Sequence, residues 1–423
     1  MIARVATVTS RPPGLRRTLN SARAFARTPP AAAAMRVFAV SRTAVFLIAF
    51  YAALPLYQRG TGVPRLIVPD ASLDRLVAPF GRLNLVFAPL AKWDALWYLK
   101  IAHDGYSYPR TRGFFPLYPM VVKAVAGFSS SPRALLVASY VVALAAFAGA
   151  LYFLYRLVDL ELGAAAARNT LWLIAFFPAA FVFGAPYPES LFLLLSVGAF
   201  YAARTDRWAV AGLLALLASA TRAAGVLLLI PLALIYLYGP RRRTDPQAPR
   251  KRRHQRYPIR RDALWLGLAP LGFVAFTAYL GIAHGDVALA GHHVRLTEGG
   301  FFHIVDRAFS AVPSLLGQPH GTDLRPAQAI GSFGFLLLAI AATVGALRRL
   351  PAAYGVYSAA VLVLALSRGA VVALPRYLAV VFPLYMWGAL ASGERGITSA
   401  VLAVSATLLG VFTYQFATWN FVG

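Results

Sequence analysis

Hydrophobic residues run through this chain in long blocks rather than at the spacing of a soluble amphipathic helix. Blocks near the roughly 20 residues that a helix needs to cross a bilayer occur at 37–57, 134–155, 168–186, 189–204, 263–283, 329–347, 353–367, 375–391 and 397–416. The stretch Trp208–Tyr238 is apolar throughout except for Thr221 and Arg222. Both of its ends, Arg204–Arg207 and Gly239–Arg243, carry basic residues that mark the cytoplasmic side. This predicts two short helices forming a hairpin, with Arg222 near the turn. The pattern as a whole predicts an all-α polytopic membrane protein of about 11 transmembrane helices.

Composition supports that reading. Hydrophobic residues make up 59% of the 423 residues and charged residues 13%, against about 25% charged in a soluble domain. With a mean hydropathy of +0.63, the chain has too little polar surface for a secreted or cytosolic globule. The absence of cysteine excludes disulfides, thiolate catalysis and Cys-based metal sites. The net charge of +26 comes mostly from arginines clustered beside apolar blocks. That placement points to membrane topology and anionic lipid headgroups, not to nucleic acid.

Charge also sets the expected orientation. Residues 1–36 hold seven arginines and no acid. They are expected to form a basic, disordered cytoplasmic tail, unless Met35 is the true start. Residues 37–423 then form a single polytopic domain. Residues 240–261, with Arg241, Arg242, Arg243, Arg250, Lys251, Arg252, Arg253, Arg256, Arg260 and Arg261 against Asp245, form a cytoplasmic basic loop. Residues 58–133 and 284–328 form extracytoplasmic loops, the amino terminus lies inside and the carboxyl terminus outside. The segment Phe114–Phe128 is apolar but short, and is expected to lie in the membrane interface within the long first loop.

Functional side chains are densest between Lys92 and Tyr106. At helical spacing Asp94, Trp97, Tyr98 and Ile101 share one face. A partly desolvated carboxylate among aromatic rings suits general-base chemistry on a sugar; an interfacial helix with an aromatic belt explains the same residues without chemistry. A second cluster, Gly184-Ala185-Pro186-Tyr187-Pro188-Glu189-Ser190, reads either as a helix cap or as a carboxylate facing a cavity. Arg222, Arg368 and Arg376 fall at membrane depth or at its outer rim, where an arginine needs a partner or water and its planar fork suits phosphate. Snorkelling explains Arg376 equally well. His292, His293 and His303, with Asp306 nearby, match no metal-ligand spacing.

Trp93-Asp94-x-x-Trp97-Tyr98-x-x-Ile101-Ala102-x-x-Gly105-Tyr106, followed by Phe114-Phe115-Pro116-Leu117-Tyr118-Pro119, resembles the signature of the GPI mannosyltransferase 2 (PIG-V-type) family and its bacterial relatives. Phe177-Pro178, Ala185-Pro186-Tyr187-x-Glu189-Ser190-Leu191-Phe192, Ala218-x-Ala220-Thr221-Arg222-x-x-Gly225, Pro375-Arg376-Tyr377 and Phe382-Pro383 extend the likeness in order. Ala223-Ala224 stands where relatives often carry proline after the Thr-Arg pair. The resemblance implies a GT-C-type glycosyltransferase that takes mannose from a polyprenyl-phosphate donor. Transfer would be to a glycolipid or glycan acceptor at the extracytoplasmic face of a bacterial plasma membrane. Within it Asp94 is expected to be the catalytic base, and Arg222 and Arg376 to bind the donor phosphate. Trp93, Trp97, Tyr98, His103, Asp104, Tyr106, Tyr187 and Glu189 are expected to bind substrate or support the site. No cofactor and no metal is expected. A flippase for lipid-linked sugars is the alternative, since it would also line a cavity with arginines and carboxylates.

Overall fold

The computed structural model describes residues 28–58, 72–239, 256–285, 325–367 and 373–420. Residues 1–27 of the basic tail, residues 240–255 of the basic loop, and His292, His293, His303, Asp306 and Arg368 lie outside the described residues. Among the described residues every regular element is helical. In chain order the principal helices are α1 (Pro29–Gln58), α2 (Asp94–Asp104), α3 (Leu117–Val125), α4 (Pro132–Leu162), α5 (Ala164–Ala175), α6 (Glu189–Arg204) and α7 (Trp208–Ser219). They continue with α8 (Leu229–Tyr238), α9 (Leu271–His284), α10 (Arg325–Arg349), α11 (Ala352–Ser367), α12 (Leu374–Ala379), α13 (Phe382–Glu394) and α14 (Thr398–Ala417). The first helix begins at Pro29, so part of the expected tail is already helical.

Four helices among the described residues are long and apolar enough to cross a membrane: Pro29–Pro55, Pro132–Leu162, Gly331–Arg349 and Thr398–Ala417. The pair Arg261–Leu268 and Leu271–His284, bent by 44°, gives a fifth. Several other blocks that read as single spans are interrupted. Block 168–186 stops at Ala175, ahead of Pro178, and resumes as a short 3-10 turn over Ala180–Gly184. Block 375–391 divides into α12 and α13 at Val380–Val381, just before Pro383. Proline removes a donor and disfavours helical backbone in the residue before it, so these breaks follow from the sequence. Hydropathy windows do not see them.

The core forms around α4 and α6. Helix α6 is buried on nearly every side, as expected of a central helix that is apolar all round. Helix α4 packs against α6, α5 and α1, while α7 packs on the other side of α6. Small residues permit the closest approaches: a Cβ on Gly212 would meet the Trp265 carbonyl at 2.1 Å, and one on Gly272 the Leu216 carbonyl at 2.3 Å. Outward-facing Leu47, Ile282 and Val404 remain 62%, 89% and 62% exposed, which suits a lipid-facing surface.

Two buried polar clusters hold the bundle. Arg42 sits inside α1, and its guanidinium donates to the carbonyls of Ala180 (2.8 Å) and Ala175 (3.2 Å) with Phe147 beneath it. It thereby satisfies buried carbonyls orphaned where α5 breaks. At the far end of α6, Arg204 pairs with Glu161, which also accepts from the Tyr354 hydroxyl at 2.7 Å. Glu189 opens the same helix, about 22 Å away by helical rise, so α6 carries one charged cluster at each end.

Candidate active site

Helix α2 begins abruptly. Trp93 has φ 55° and ψ −117°, a region that costs a bulky residue on the order of 1–3 kcal/mol. This turns the chain so that Asp94 is the first helical residue. Its backbone N–H donates to the Tyr187 hydroxyl at 3.2 Å, and that hydroxyl donates to the Lys92 carbonyl at 2.9 Å. A carboxylate in the first turn also complements the helix dipole. The helix ends at Gly105, whose positive φ of 68° suits glycine. Ala95, Leu96, Leu99 and Ala102 bury the core side of α2. Asp94 and Tyr98 face a pocket, with Tyr98 held edge-on by Phe114 and Tyr118. Burial pushes the Tyr98 phenol well up, so it stays a hydrogen-bond donor.

The 185–190 turn supplies the second carboxylate. Neither Glu189 nor Ser190 caps α6. Ser190 donates back to the Phe183 carbonyl at 3.1 Å, and Glu189 turns to two arginines. The hairpin α7–α8 brings the first of these. Arg222 is extended (φ −154°) at the turn, where its N–H still reaches the Ala218 carbonyl at 3.0 Å. The turn is closed so tightly that a Cβ on Gly225 would lie 2.3 Å from backbone atoms of Ala218 and Ser219. Helix α3 docks on the same turn, the Leu117 N–H donating to the Ala220 carbonyl at 3.0 Å. Arg376 arrives from the short helix α12.

These segments converge on a pocket of about 180 Å³ lined by Asp94, Tyr98, Phe114, Glu189, Arg222 and Arg376, with Thr221 and Tyr377. Arg222 pairs with Glu189, Arg376 pairs with Asp94, and Arg376 Nε lies 3.6 Å from Glu189 Oε1. Two carboxylates and two guanidiniums thus alternate in one chain of zero net charge. The carboxylates are not equivalent, since the Asp94 side chain is 30% exposed and that of Glu189 is 1% exposed. Arg376 is only 11% exposed, so it does not snorkel. Tyr187 lies under Arg376 and Tyr377 under Arg222, ring to guanidinium. Glu189 Oε2 and Arg376 Nε are buried without a hydrogen bond, which leaves polar capacity for a ligand.

The structure gathers Asp94, Tyr98, Glu189, Arg222 and Arg376 in the pocket, with Tyr187 behind them. It places the other candidates elsewhere. His103 and Asp104 contact each other, with Lys100 2.9 Å from Asp104, on the partly exposed far end of α2. Burial opposes ionisation of Asp104, but hydrogen bonds from Lys100 and His103 outweigh it and hold this carboxyl below its usual range. Trp97 stacks on Tyr108 at 5.8 Å, beside Phe114 at the pocket wall. Tyr106 donates to the Phe114 carbonyl at 2.8 Å and packs on Phe276 and Tyr279. Trp93 meets Trp419 edge-on. Sequence reasoning gave no role to Thr221, Tyr377 or Arg42. For Arg42 the signal was present, as a charge inside an apolar block. Among the described residues no three His, Asp or Glu side chains group as metal ligands.

Comparison with known proteins gives one family match. Residues 33–236 match the family described as Mannosyltransferase (PIG-V). The match takes in Asp94, Glu189 and Arg222 and ends before Arg376. No curated protein matches the chain. Among solved structures, the oligosaccharyltransferase of Archaeoglobus fulgidus, crystallised with a tethered acceptor peptide, aligns at 14% identity and a TM-score of 0.42. That alignment covers 92% of this chain and 56% of the other, so the chain spans little more than half the length of that enzyme.

Proposed function

We propose that this membrane glycosyltransferase of the PIG-V type is an inverting mannosyltransferase, with polyprenyl-phosphate mannose as donor and a glycolipid or glycan as acceptor. The observation that carries the proposal is the convergence of one partly exposed carboxylate with two buried guanidiniums. A carboxylate open to the pocket suits a base, and paired arginines suit a lipid phosphate. At about 180 Å³ the pocket is smaller than the roughly 300–1,000 Å³ of a typical ligand cleft. That size fits a sugar and its phosphate, with the hydrocarbon chain left in the bilayer.

The donor phosphate binds against Arg222 and Arg376, and the sugar lies toward Asp94 and the Tyr98–Phe114 wall. An acceptor hydroxyl enters from the exposed side, and its proton passes to an Asp94 carboxylate oxygen. The acceptor oxygen bonds to the anomeric carbon as the bond from that carbon to the phosphate oxygen breaks. The electron pair leaves on the phosphate, which gains one negative charge, and the arginines stabilise that charge as it develops. Glu189 holds both guanidiniums in place. Attack opposite the leaving group inverts the anomeric centre. The active side of the protein is extracytoplasmic in this reading, in a bacterial plasma membrane.

The test is mannose transfer by the purified chain in liposomes, with radiolabelled polyprenyl-phosphate mannose as donor and a mixed lipid extract as acceptor. Asp94→Asn should insert and fold normally and lose at least roughly 100-fold in turnover, the contribution of a positioned base. Wild-type turnover in Asp94→Asn would remove the aspartate from the mechanism. Donor crossing the bilayer with no new product would replace the transferase by a flippase.

A further inference from the structure

The end of the last helix reaches back to the start of α2. Helix α14 closes with the Asn420 N–H on the Gln415 carbonyl (2.9 Å) and the Trp419 N–H on the Phe416 carbonyl (3.2 Å). This is the Schellman pattern, in which the residue at the Trp419 position adopts positive φ and is usually glycine. Here it is tryptophan at φ 68°. The backbone would favour glycine at that place, so the indole ring must be wanted for what it touches.

It touches the two residues before Asp94. The buried Nζ of Lys92 lies 4.4 Å from the centroid of the Trp419 ring and donates to the carbonyl of Ala417. The Trp93 ring meets Trp419 at 5.7 Å with an interplanar angle of 64°. Trp93 is the other tryptophan with positive φ, 55°. On the opposite side the Tyr187 hydroxyl bridges the Lys92 carbonyl and the Asp94 N–H, and the Tyr187 ring packs edge-on against Phe416 of α14. Residues 92–94 are therefore gripped from two sides, and both grips lead to the last turn of α14. That turn contributes no residue to the lining of the pocket.

We propose that the carboxyl-terminal turn of α14 is a clasp that sets the direction of the Asp94 carboxylate, with Trp419 and Lys92 as positioning residues. Trp419 and the Ala417 carbonyl fix Lys92. Lys92 and Trp419 fix Trp93 in its left-handed backbone, and that conformation aims Asp94 at Arg376. The catalytic consequence rests on Asp94 being the base; the geometric consequence does not.

The test uses the full chain in nanodiscs, with Trp419→Gly, Trp419→Phe and Lys92→Met. Trp419→Gly is the informative variant, because a role confined to ending the helix predicts equal or greater thermal stability and unchanged turnover. The clasp predicts instead that amide hydrogen exchange over residues 93–98 rises at least about 10-fold in Trp419→Gly and Lys92→Met. Exchange within α4 and α6 should stay at the wild-type level. In the transfer assay kcat should fall on the order of 100-fold, the effect of misplacing a catalytic group by about 1 Å, with donor KM within about 2-fold. Trp419→Phe, which keeps an aromatic face over Lys92, should recover most of the loss. Unchanged exchange over 93–98 in both variants overturns the clasp. So does a rise spread over all helices in both, which marks general packing, or wild-type kcat in an active enzyme. Should the wild type transfer no sugar, the mannosyltransferase reading falls and the exchange measurement still decides the clasp. If Trp419→Gly fails to fold, Lys92→Met decides, since it leaves the turn intact.

Discussion

Glu189→Gln removes one negative charge from a cluster in which two carboxylates and two guanidiniums cancel. Glu189 pairs with Arg222 and lies 3.6 Å from Nε of Arg376. At that separation and an effective dielectric of about 20, attraction to Arg376 alone is about 5 kcal/mol. Burying the carboxylate offsets part of this, so the variant should lose about 3–5 kcal/mol of stability, the cost of stripping one partner from a buried pair. An anionic lipid should respond in the opposite direction. A phosphate about 5 Å from the Glu189 carboxylate is relieved of about 3 kcal/mol of repulsion at the same dielectric, which is roughly 100-fold in Kd. The assay is binding of a short-chain polyprenyl phosphate to the purified wild type and variant at fixed ionic strength, with thermal unfolding in parallel. Tighter binding by roughly 10- to 100-fold in a less stable protein supports the phosphate site, and slower product release should then lower kcat. Unchanged or weaker binding in a folded Glu189→Gln would refute the idea that these arginines meet the phosphate.

Other perturbations test the frame around the site. Arg42→Met leaves the Ala175 and Ala180 carbonyls without their donor; at about 1.5–3 kcal/mol per charged hydrogen bond it should lose about 3–6 kcal/mol, read as a lower unfolding temperature. Gly225→Ala places a Cβ 2.3 Å from the Ala218–Ser219 backbone, so the hairpin must open. Transfer activity should then vanish, and size-exclusion profiles should show whether the rest of the bundle survives. Burial lowers Lys92, which lies in the connection before α2, from 10.5 to about 7. Between those values the unfolded chain holds a proton that the folded chain has released, so this group makes stability rise with pH across that window and adds no slope below it. Comparing unfolding temperatures of the wild type and Lys92→Met from pH ~6.5 to ~9.5 should show the rise only in the wild type.

The helical class was legible because bilayer-length apolar blocks have no soluble counterpart. The hairpin at Arg222 was legible for a related reason: a lone charged residue in a long apolar stretch with basic residues at both ends has few other solutions. The breaks in 168–186 and 375–391 were missed although their prolines were visible, because a 20-residue hydropathy window averages over them. For the site, sequence spacing placed Asp94 and Tyr98 on one face of α2. The resemblance also drew in His103 and Asp104, which share the helix but do not line the pocket. Spacing along one helix cannot rank residues by what comes from elsewhere in the fold, and the partner of Asp94 is Arg376, 282 positions away. The capping reading of Glu189 was locally sound and lost to the same long-range arginines.

Each charged side chain of the pocket stands where a helix starts or stops. Asp94 and Glu189 open α2 and α6, Arg222 sits in the turn after α7, and Arg376 lies in the first turn of α12. A continuous span would point such a group at lipid or at another apolar helix, with the cost of burying it. A broken span lets the backbone turn the charge inward and offers its own free N–H and C=O groups nearby. Those free groups must then be satisfied, which is what Arg42 does at the α5 break and the Tyr187 hydroxyl does at the start of α2. The helix ends at Asp94, Glu189, Arg222 and Arg376 are therefore the feature that lets a membrane bundle gather two carboxylates and two arginines. The unequal exposure of Asp94 and Glu189 follows from the same layout. Glu189 opens a helix buried on nearly every side, whereas Asp94 opens a helix with a partly exposed face.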